Sequence, residues 1–180
     1  MITMTFSKFA NPDNFPDDDD IELYVLRNSK KILYIGISES NVWNRWFGNR
    51  GRMYKNAGGH WNGSDTTSIS IIQNMPASLR WNIDLWTLKD CLSFLGIKYI
   101  SKNDFPNDWC FYPNGFGRYT IKDVEPKFIA NLMPEYNGTY NHGTRLTKRA
   151  ADGGWASRYF EFISAGSNPP AKVTAKSPRR

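Results

Sequence analysis

Two short runs near the amino-terminal end of the chain alternate in the manner of paired strands. Residues 21–27 (IELYVLR) and 31–37 (KILYIGI) are rich in β-branched and aromatic side chains, and the polar Asn28-Ser29-Lys30 between them predicts a β-hairpin. In the first strand Leu23 and Val25 should face one way and Tyr24 and Leu26 the other; in the second, Tyr34 and Gly36 should share a face opposite Leu33, Ile35 and Ile37. Both faces then need cover. A helix is expected next, capped by Ser40 or Asn41, with Val42, Trp43 and Trp46 on its apolar side and Arg45 pointing elsewhere. Gly48 and Gly51 end it, and residues 48–64, with Arg50, Arg52, Lys55, Gly58, Gly59 and His60, read as a basic loop. Asp65 or Thr66 can cap a second helix that covers Ile69, Ile72 and Met75 and stops at Pro76; a strand over 68–73 is the alternative.

Further on, 81–88 (WNIDLWTL) sets Trp81, Ile83, Leu85 and Thr87 against Asn82, Asp84, Trp86 and Leu88, which predicts a third strand. Residues 89–120 show no regular period. The stretch EPKFIANLM at 125–133 predicts a helix with Pro126 at its first position, an apolar face of Phe128, Ile129, Leu132 and Met133, and Pro134 as its stop. The expected fold class is α+β: a small three-stranded antiparallel sheet flanked by helices, with a basic carboxy-terminal extension. The expected divisions are an acidic leader at 1–20, a core domain at 21–140 with insertions, a basic extension at 141–164 and a flexible basic tail at 165–180.

At 180 residues, with 40% hydrophobic and 15% aromatic content, the chain can bury one sizeable core. No apolar run approaches the roughly 18 to 20 residues that span a bilayer, and no basic-then-apolar signal opens the chain, so a soluble cytoplasmic protein with no membrane partner is expected. Cys91 and Cys110 stand alone, without a CxxC pair, and are expected to be buried thiols rather than zinc ligands. The net charge of +6 conceals an asymmetry. Residues 1–20 hold five aspartates against Lys8, while 141–180 hold eight Lys or Arg against Asp152 and Glu161. Such a basic surplus favours a polyanionic partner, held through counterion release; a merely soluble basic protein is the plain alternative.

Against that background certain residues stand in a telling order. Glu22-Leu23-Tyr24 and Tyr34-Ile35-Gly36 place two tyrosines ten residues apart; Asn41-Val42-Trp43-Asn44-Arg45 follows; then Glu125-Pro126-Lys127-Phe128-Ile129, and Asn137 twelve residues after Glu125. Taken singly, each has a plain reading: half-buried packing for the tyrosines, a solvated helix residue for Arg45, a helix-terminal carboxylate for Glu125 and a turn residue for Asn137. Taken in order, the series resembles the GIY-YIG nuclease family over roughly 21–140. Three departures are visible: Glu22 and Leu23 replace the first glycine and isoleucine and put an extra carboxylate near the site, Ile37 stands where lysine is frequent, and Asn49 where histidine or tyrosine is frequent. The chain's size is similar to the compact restriction-enzyme or phage endonuclease II-like branch.

The resemblance implies the GIY-YIG nuclease fold and a metal-dependent endonuclease acting on double-stranded DNA in a bacterial or phage-infected cell. It implies Tyr24 as general base, made more acidic by nearby positive charge, with Tyr34 beside the nucleophile and Arg45 clamping a phosphate. Glu125 would hold one magnesium ion, for which manganese can substitute, and Asn137 would prop the site. Gly36 would let the DNA backbone approach, and His60 or Lys55 would stand in for the missing base or proton donor. Candidate DNA contacts are Arg50, Arg52, Lys55, Arg145, Lys148, Arg149 and Arg158, with Asn141, His142 and Thr144 as candidates for base edges. One site per chain implies a homodimer or higher oligomer when both strands are cut. Two other readings stay open: a structure-selective nuclease on branched DNA, and a catalytically inactive nucleic-acid-binding module on the same scaffold.

Overall fold

The computed structural model of the protein describes residues 1–16, 20–38, 42–47, 71, 73–137 and 154–165. The fold is α+β, built on an antiparallel sheet of four strands rather than three. These are β1 (Ile2–Thr5), β2 (Ile21–Arg27), β3 (Ile32–Ile37) and β4 (Asn82–Thr87), in the spatial order β1-β4-β2-β3. The hairpin forms where the alternation predicts it, with Asn28 Oδ1 accepting from the amides of Lys30 and Lys31 to close the turn. The third expected strand is β4, which lies beside β2.

The strand that sequence patterning misses is β1. Residues 2–5 fall inside the stretch expected to be a leader, yet they pair with β4, Ile2 opposite Leu85 and Thr5 opposite Asn82. Directly after it, α1 (Phe6–Phe9) buries both its phenylalanines, so the amino-terminal residues belong to the core. Their acidic character begins only beyond Pro12.

Helices cover both faces of the sheet. On one side α1 and α2 (Val42–Phe47) pack Phe6, Phe9, Val42, Trp43, Trp46 and Phe47 against Ile21, Tyr24, Leu26, Ile83 and Leu85. On the other, α3 (Leu88–Leu95), α4 (Ile121–Leu132) and α5 (Trp155–Ser164) pack against Leu23, Val25, Ile35 and Trp86. The expected facing of Leu23, Val25, Tyr24 and Leu26 holds, but Leu33 does not keep to the face of Ile35. Leu26 pairs with Tyr34 and Arg27 with Ile32, so Leu33 is skipped by a bulge and turns towards the Tyr24 side.

One stretch left unassigned by the sequence is filled and three other expectations are corrected. The segment after β4 opens with α3, capped by Thr87 Oγ1 accepting from the Asp90 amide. Helix α4 begins four residues before Glu125: Thr120 and Asp123 form a reciprocal capping box, and Pro126 lies inside the helix rather than at its first position. Met133 leaves the helix in the left-handed conformation (φ 51°) just before Pro134. The supposed extension at 141–164 supplies α5, whose Tyr159 and Phe162 are buried in the main core. Finally, Met75 is exposed, whereas Ile71 is buried on the α2 side. The proposed caps at Ser40, Asn41, Asp65 and Thr66, the positions Ile69 and Ile72, and the tail beyond 165 lie outside the described residues.

A buried polar network ties the sheet to α5. Asp84, fully buried on β4, accepts from Arg27 Nε at 2.6 Å and Nη2 at 3.2 Å, from Tyr159 Oη at 2.7 Å and from Thr3 Oγ1 at 2.7 Å. Both carboxylate oxygens are thereby paired, which a buried charge requires. Cys91 and Cys110 are buried free thiols, as expected. Among the described residues no helix is long and apolar enough to cross a membrane.

Candidate active site

Tyr24 and Gly36 are directly opposed across β2 and β3. A strand side chain facing a glycine finds vacant space, and the ring of Tyr24 fills it: a Cβ on Gly36 would meet the Tyr24 hydroxyl and Cζ and the Cε1 of Tyr34. The space over Gly36, expected to admit a DNA backbone, is therefore occupied by the tyrosine pair. The two rings lie 6.0 Å apart between centroids, and the Trp46 indole meets Tyr24 edge-on at 5.6 Å. Tyr24 is fully buried, while Tyr34, two positions nearer the turn, is only partly so.

Arg45 comes from α2. Its neighbours Val42, Trp43, Trp46 and Phe47 are buried and anchor the helix, leaving Arg45 exposed with its guanidinium in hydrogen-bonding contact with the Tyr24 hydroxyl. Glu125 comes from α4, which packs against β3 from the other side of the sheet. Its half-buried carboxylate feels the charge of Arg45 and acts in turn on Tyr24. Tyr24 and Glu125, 101 positions apart in the chain, thus act on one another at one edge of the sheet.

Asn137 stands behind this edge. Its Oδ1 accepts from Ile35 N at 2.8 Å and its Nδ2 donates to Ile35 O at 2.7 Å. With Glu135 N donating to Ile32 O and Tyr136 N to Leu33 O, residues 135–137 cover the outer edge of β3, which would otherwise expose an unpaired ladder. Asn137 is buried with its amide committed to β3, so it holds the strand that carries Tyr34 and Gly36.

The electrostatics depart from expectation at Tyr24. Burial pushes its phenol well above the ordinary tyrosine value, Tyr34 adds to the rise, and Arg45 only partly opposes it. Tyr24 was expected to be made more acidic; the low dielectric around it outweighs the single guanidinium. Glu125 is likewise raised above the usual carboxylate value by burial, with Arg45 pulling the other way. A buried carboxylate whose charge is undercompensated has the character of a cation ligand. Among the described residues no three His, Cys, Asp or Glu side chains gather as a metal cage, and of the four side chains here Glu125 is the carboxylate. One carboxylate, completed by waters and a phosphate oxygen, is a donor set that magnesium accepts.

Other candidates do not join the site. Glu22 falls at a second bulge, between Ile21 and Leu23, and lines a separate cavity of about 360 Å3 with Thr87, Lys89, Asp108 and Arg118; none of Tyr24, Tyr34, Arg45 or Glu125 lines it. Arg158, expected to contact DNA, donates to Phe94 O at 2.8 Å and lies over the Trp155 ring, tying α5 to the end of α3. His60, Lys55, Arg50, Arg52 and Asn49, and likewise Arg145, Lys148, Arg149, Asn141, His142 and Thr144, lie outside the described residues. Sequence patterning missed Trp46 as the wall of Tyr24; its spacing from Val42 places it on the apolar side of the helix but does not mark it as a site residue. No family model, curated protein or solved structure compared with the chain matches it.

Proposed function

We propose that the chain is a metal-dependent endonuclease of the GIY-YIG type, of the compact restriction-enzyme or phage kind, hydrolysing phosphodiester bonds in double-stranded DNA. The observation that carries this reading is the meeting of Tyr24, Tyr34, Arg45 and Glu125, contributed by β2, β3, α2 and α4. A phosphodiester needs a water oriented for attack on phosphorus, neutralisation of the charge that develops there, and protonation of the departing 3′ oxygen. Arg45, exposed and fixed at its base by a buried helix, can grip a phosphate oxygen. Glu125 would hold a magnesium or manganese ion, which would supply positive charge to the phosphate. Tyr34, the less buried tyrosine, accepts a hydrogen bond from the attacking water, whose proton passes to solvent as it bonds to phosphorus, and the departing 3′ oxygen takes a proton from solvent. Tyr24 keeps its proton at neutral pH and so orients rather than abstracts, and a role as general base needs more positive charge than Arg45 provides.

The complete burial of Tyr24 also favours a second reading, a nucleic-acid-binding module that performs no chemistry. Both readings, and cleavage of branched DNA, separate in one experiment: supercoiled plasmid, linear phage DNA and a four-way junction, each incubated with the chain and magnesium, manganese or chelator. Cutting of linear duplex that stops on chelation supports the proposal. Cutting confined to the junction moves the substrate to branched DNA. Binding without cutting under any metal leaves the inactive module. A native chain that cuts duplex would be expected to act as a homodimer or higher oligomer on it.

A further inference from the structure

Residues 135–137 cover the sheet at its β3 edge; the opposite edge is β1 (Ile2–Thr5), and among the described residues no strand or backbone group pairs with its outer side. Phe6 N donates to Trp81 O at 2.6 Å, in register with the pairs Ile2–Leu85 and Met4–Ile83. Backbone groups alternate along an antiparallel strand, so the even-numbered residues bond to β4. The amides of Thr3 and Thr5 and the carbonyls of Met1 and Thr3 therefore point away from the sheet.

An open edge is ordinarily blocked by lysine, proline or another charged side chain, which keeps it from pairing with a second chain. The sequence Ile2-Thr3-Met4-Thr5 contains none of these, and Ile2 and Thr3 are both exposed, Ile2 by 36%. A strand without charge also has nothing with which to repel its own copy, whereas a nucleic acid would find no cation on it.

We propose that β1 is a dimerisation edge, which pairs antiparallel with β1 of a second copy of this chain about a two-fold axis at Thr3. Self-pairing is singled out by the agreement of two registers. The outward backbone groups require odd-numbered residues to face odd-numbered ones. With Thr3 on the axis, its amide donates to the Thr3 carbonyl of the second copy and the Thr5 amide to the Met1 carbonyl, each bond having its converse. In that same register Thr3 stands opposite Thr3 and Ile2 opposite Met4, so threonine meets threonine on one face and apolar meets apolar on the other. Moving the axis to Met4 would set Ile2 against Phe6, which has left the strand for α1. The pairing joins two sheets into one and leaves β3, with Tyr34 and Gly36, at the edge farthest from the axis.

The test uses the full chain at rising concentration and without DNA, so its outcome is separate from that of the nuclease reading. Sedimentation velocity up to about 1 mM detects a contact of millimolar Kd or tighter, and amide exchange by NMR reads which backbone groups are covered. The native chain should pass from monomer to dimer, with the Thr3 and Thr5 amides gaining protection as it does and the Met4 amide protected throughout. Thr3→Pro removes an outward amide without touching a bond to β4 and should leave a monomer. It also removes the hydroxyl that donates to Asp84 at 2.7 Å, so Thr3→Val, which loses that hydroxyl and keeps the amide, should still dimerise. Ile2→Lys, at an exposed position, should abolish the dimer with the fold intact. A chain that stays monomeric at every concentration overturns the proposal, as does a dimer that survives both Thr3→Pro and Ile2→Lys. Loss of the dimer in Thr3→Val as well as Thr3→Pro would trace the effect to Asp84 and overturn it too. Thr3 and Thr5 amides already protected in the dilute monomer would show the edge covered by another segment of the same chain, with the same consequence.

Discussion

The ring of Tyr24 lies over the backbone of Gly36, in the place that any side chain at that position would take. A methyl group there must displace the tyrosine or part the two strands. Gly36→Ala should therefore destabilise the fold by about 1 to 3 kcal/mol, in the range of overpacked cores. In a chain of this size that lowers the melting temperature by about 2 to 4 °C per kcal/mol. The hydroxyl is the nearest atom, so Tyr24→Phe added to Gly36→Ala should recover part of the loss. A double-mutant cycle by thermal denaturation checks this; strict additivity would contradict the contact.

Asn137 acts on β3 through two hydrogen bonds to one residue. Asn137→Ala leaves the amide and carbonyl of Ile35 without these partners, at about 1 to 3 kcal/mol if both stay buried. Asn137→Asp keeps an acceptor for the amide but sets a second oxygen against the Ile35 carbonyl, and should be no more stable than the alanine variant at neutral pH. Hydrogen exchange at the Ile35 amide should quicken in both. Unchanged protection there would show that the edge of β3 does not depend on Asn137.

At Asp84 the prediction is asymmetric. Asp84→Ala strands the Arg27 guanidinium in a nearly buried position and should cost about 3 to 5 kcal/mol. Tyr159→Phe removes one donor from a carboxylate that keeps Arg27 and Thr3, and should cost about 1 kcal/mol. Denaturant titration resolves the difference.

Glu125 links pH to stability. Its folded-state value is raised, so the protonated acid stabilises the fold. That contribution is fully present below the unfolded-state value and is lost as pH rises through the folded one. Glu125→Gln should then melt above the native chain at neutral pH while losing cleavage. In the metal-free chain the Glu125 carboxyl should titrate above the ordinary glutamate value of about 4.3, read by carboxyl-carbon NMR. Titration at or below that value without metal would contradict the burial of this group.

The hairpin, β4 and the anchoring face of α2 were legible because each combines a clear apolar period with a turn or breaker, and the same alternation separates Tyr24 from Val25 correctly. Strand β1 was not legible: four residues with two threonines, followed by acidic sequence, carry no period of their own and depend on pairing with β4. The start of α4 was legible in Thr120 and Asp123, but Pro126 is a stronger local signal for a helix start, and it proves tolerable inside the helix on an exposed face. In α5 the spacing of Trp155, Tyr159 and Phe162 is helical, yet the surrounding basic residues make the stretch read as a basic extension. The burial of Asp84 is marked in the sequence by its sharing a face with Trp86 and Leu88. For the site, residue order indicated which side chains to compare, whereas the burial of Tyr24 and the filled space over Gly36 arise only from three-dimensional packing.

The most direct test of the central claim is single-turnover cleavage of linear phage DNA with magnesium, comparing the native chain with Glu125→Gln and Arg45→Ala, each first confirmed to bind the DNA. The account predicts fragments from the native chain and a rate lower by about 10²-fold or more in each variant, as expected when a group that neutralises developing charge is removed. Cleavage by Glu125→Gln at the native rate, or a native chain that binds the DNA and leaves it whole with both magnesium and manganese, would contradict it.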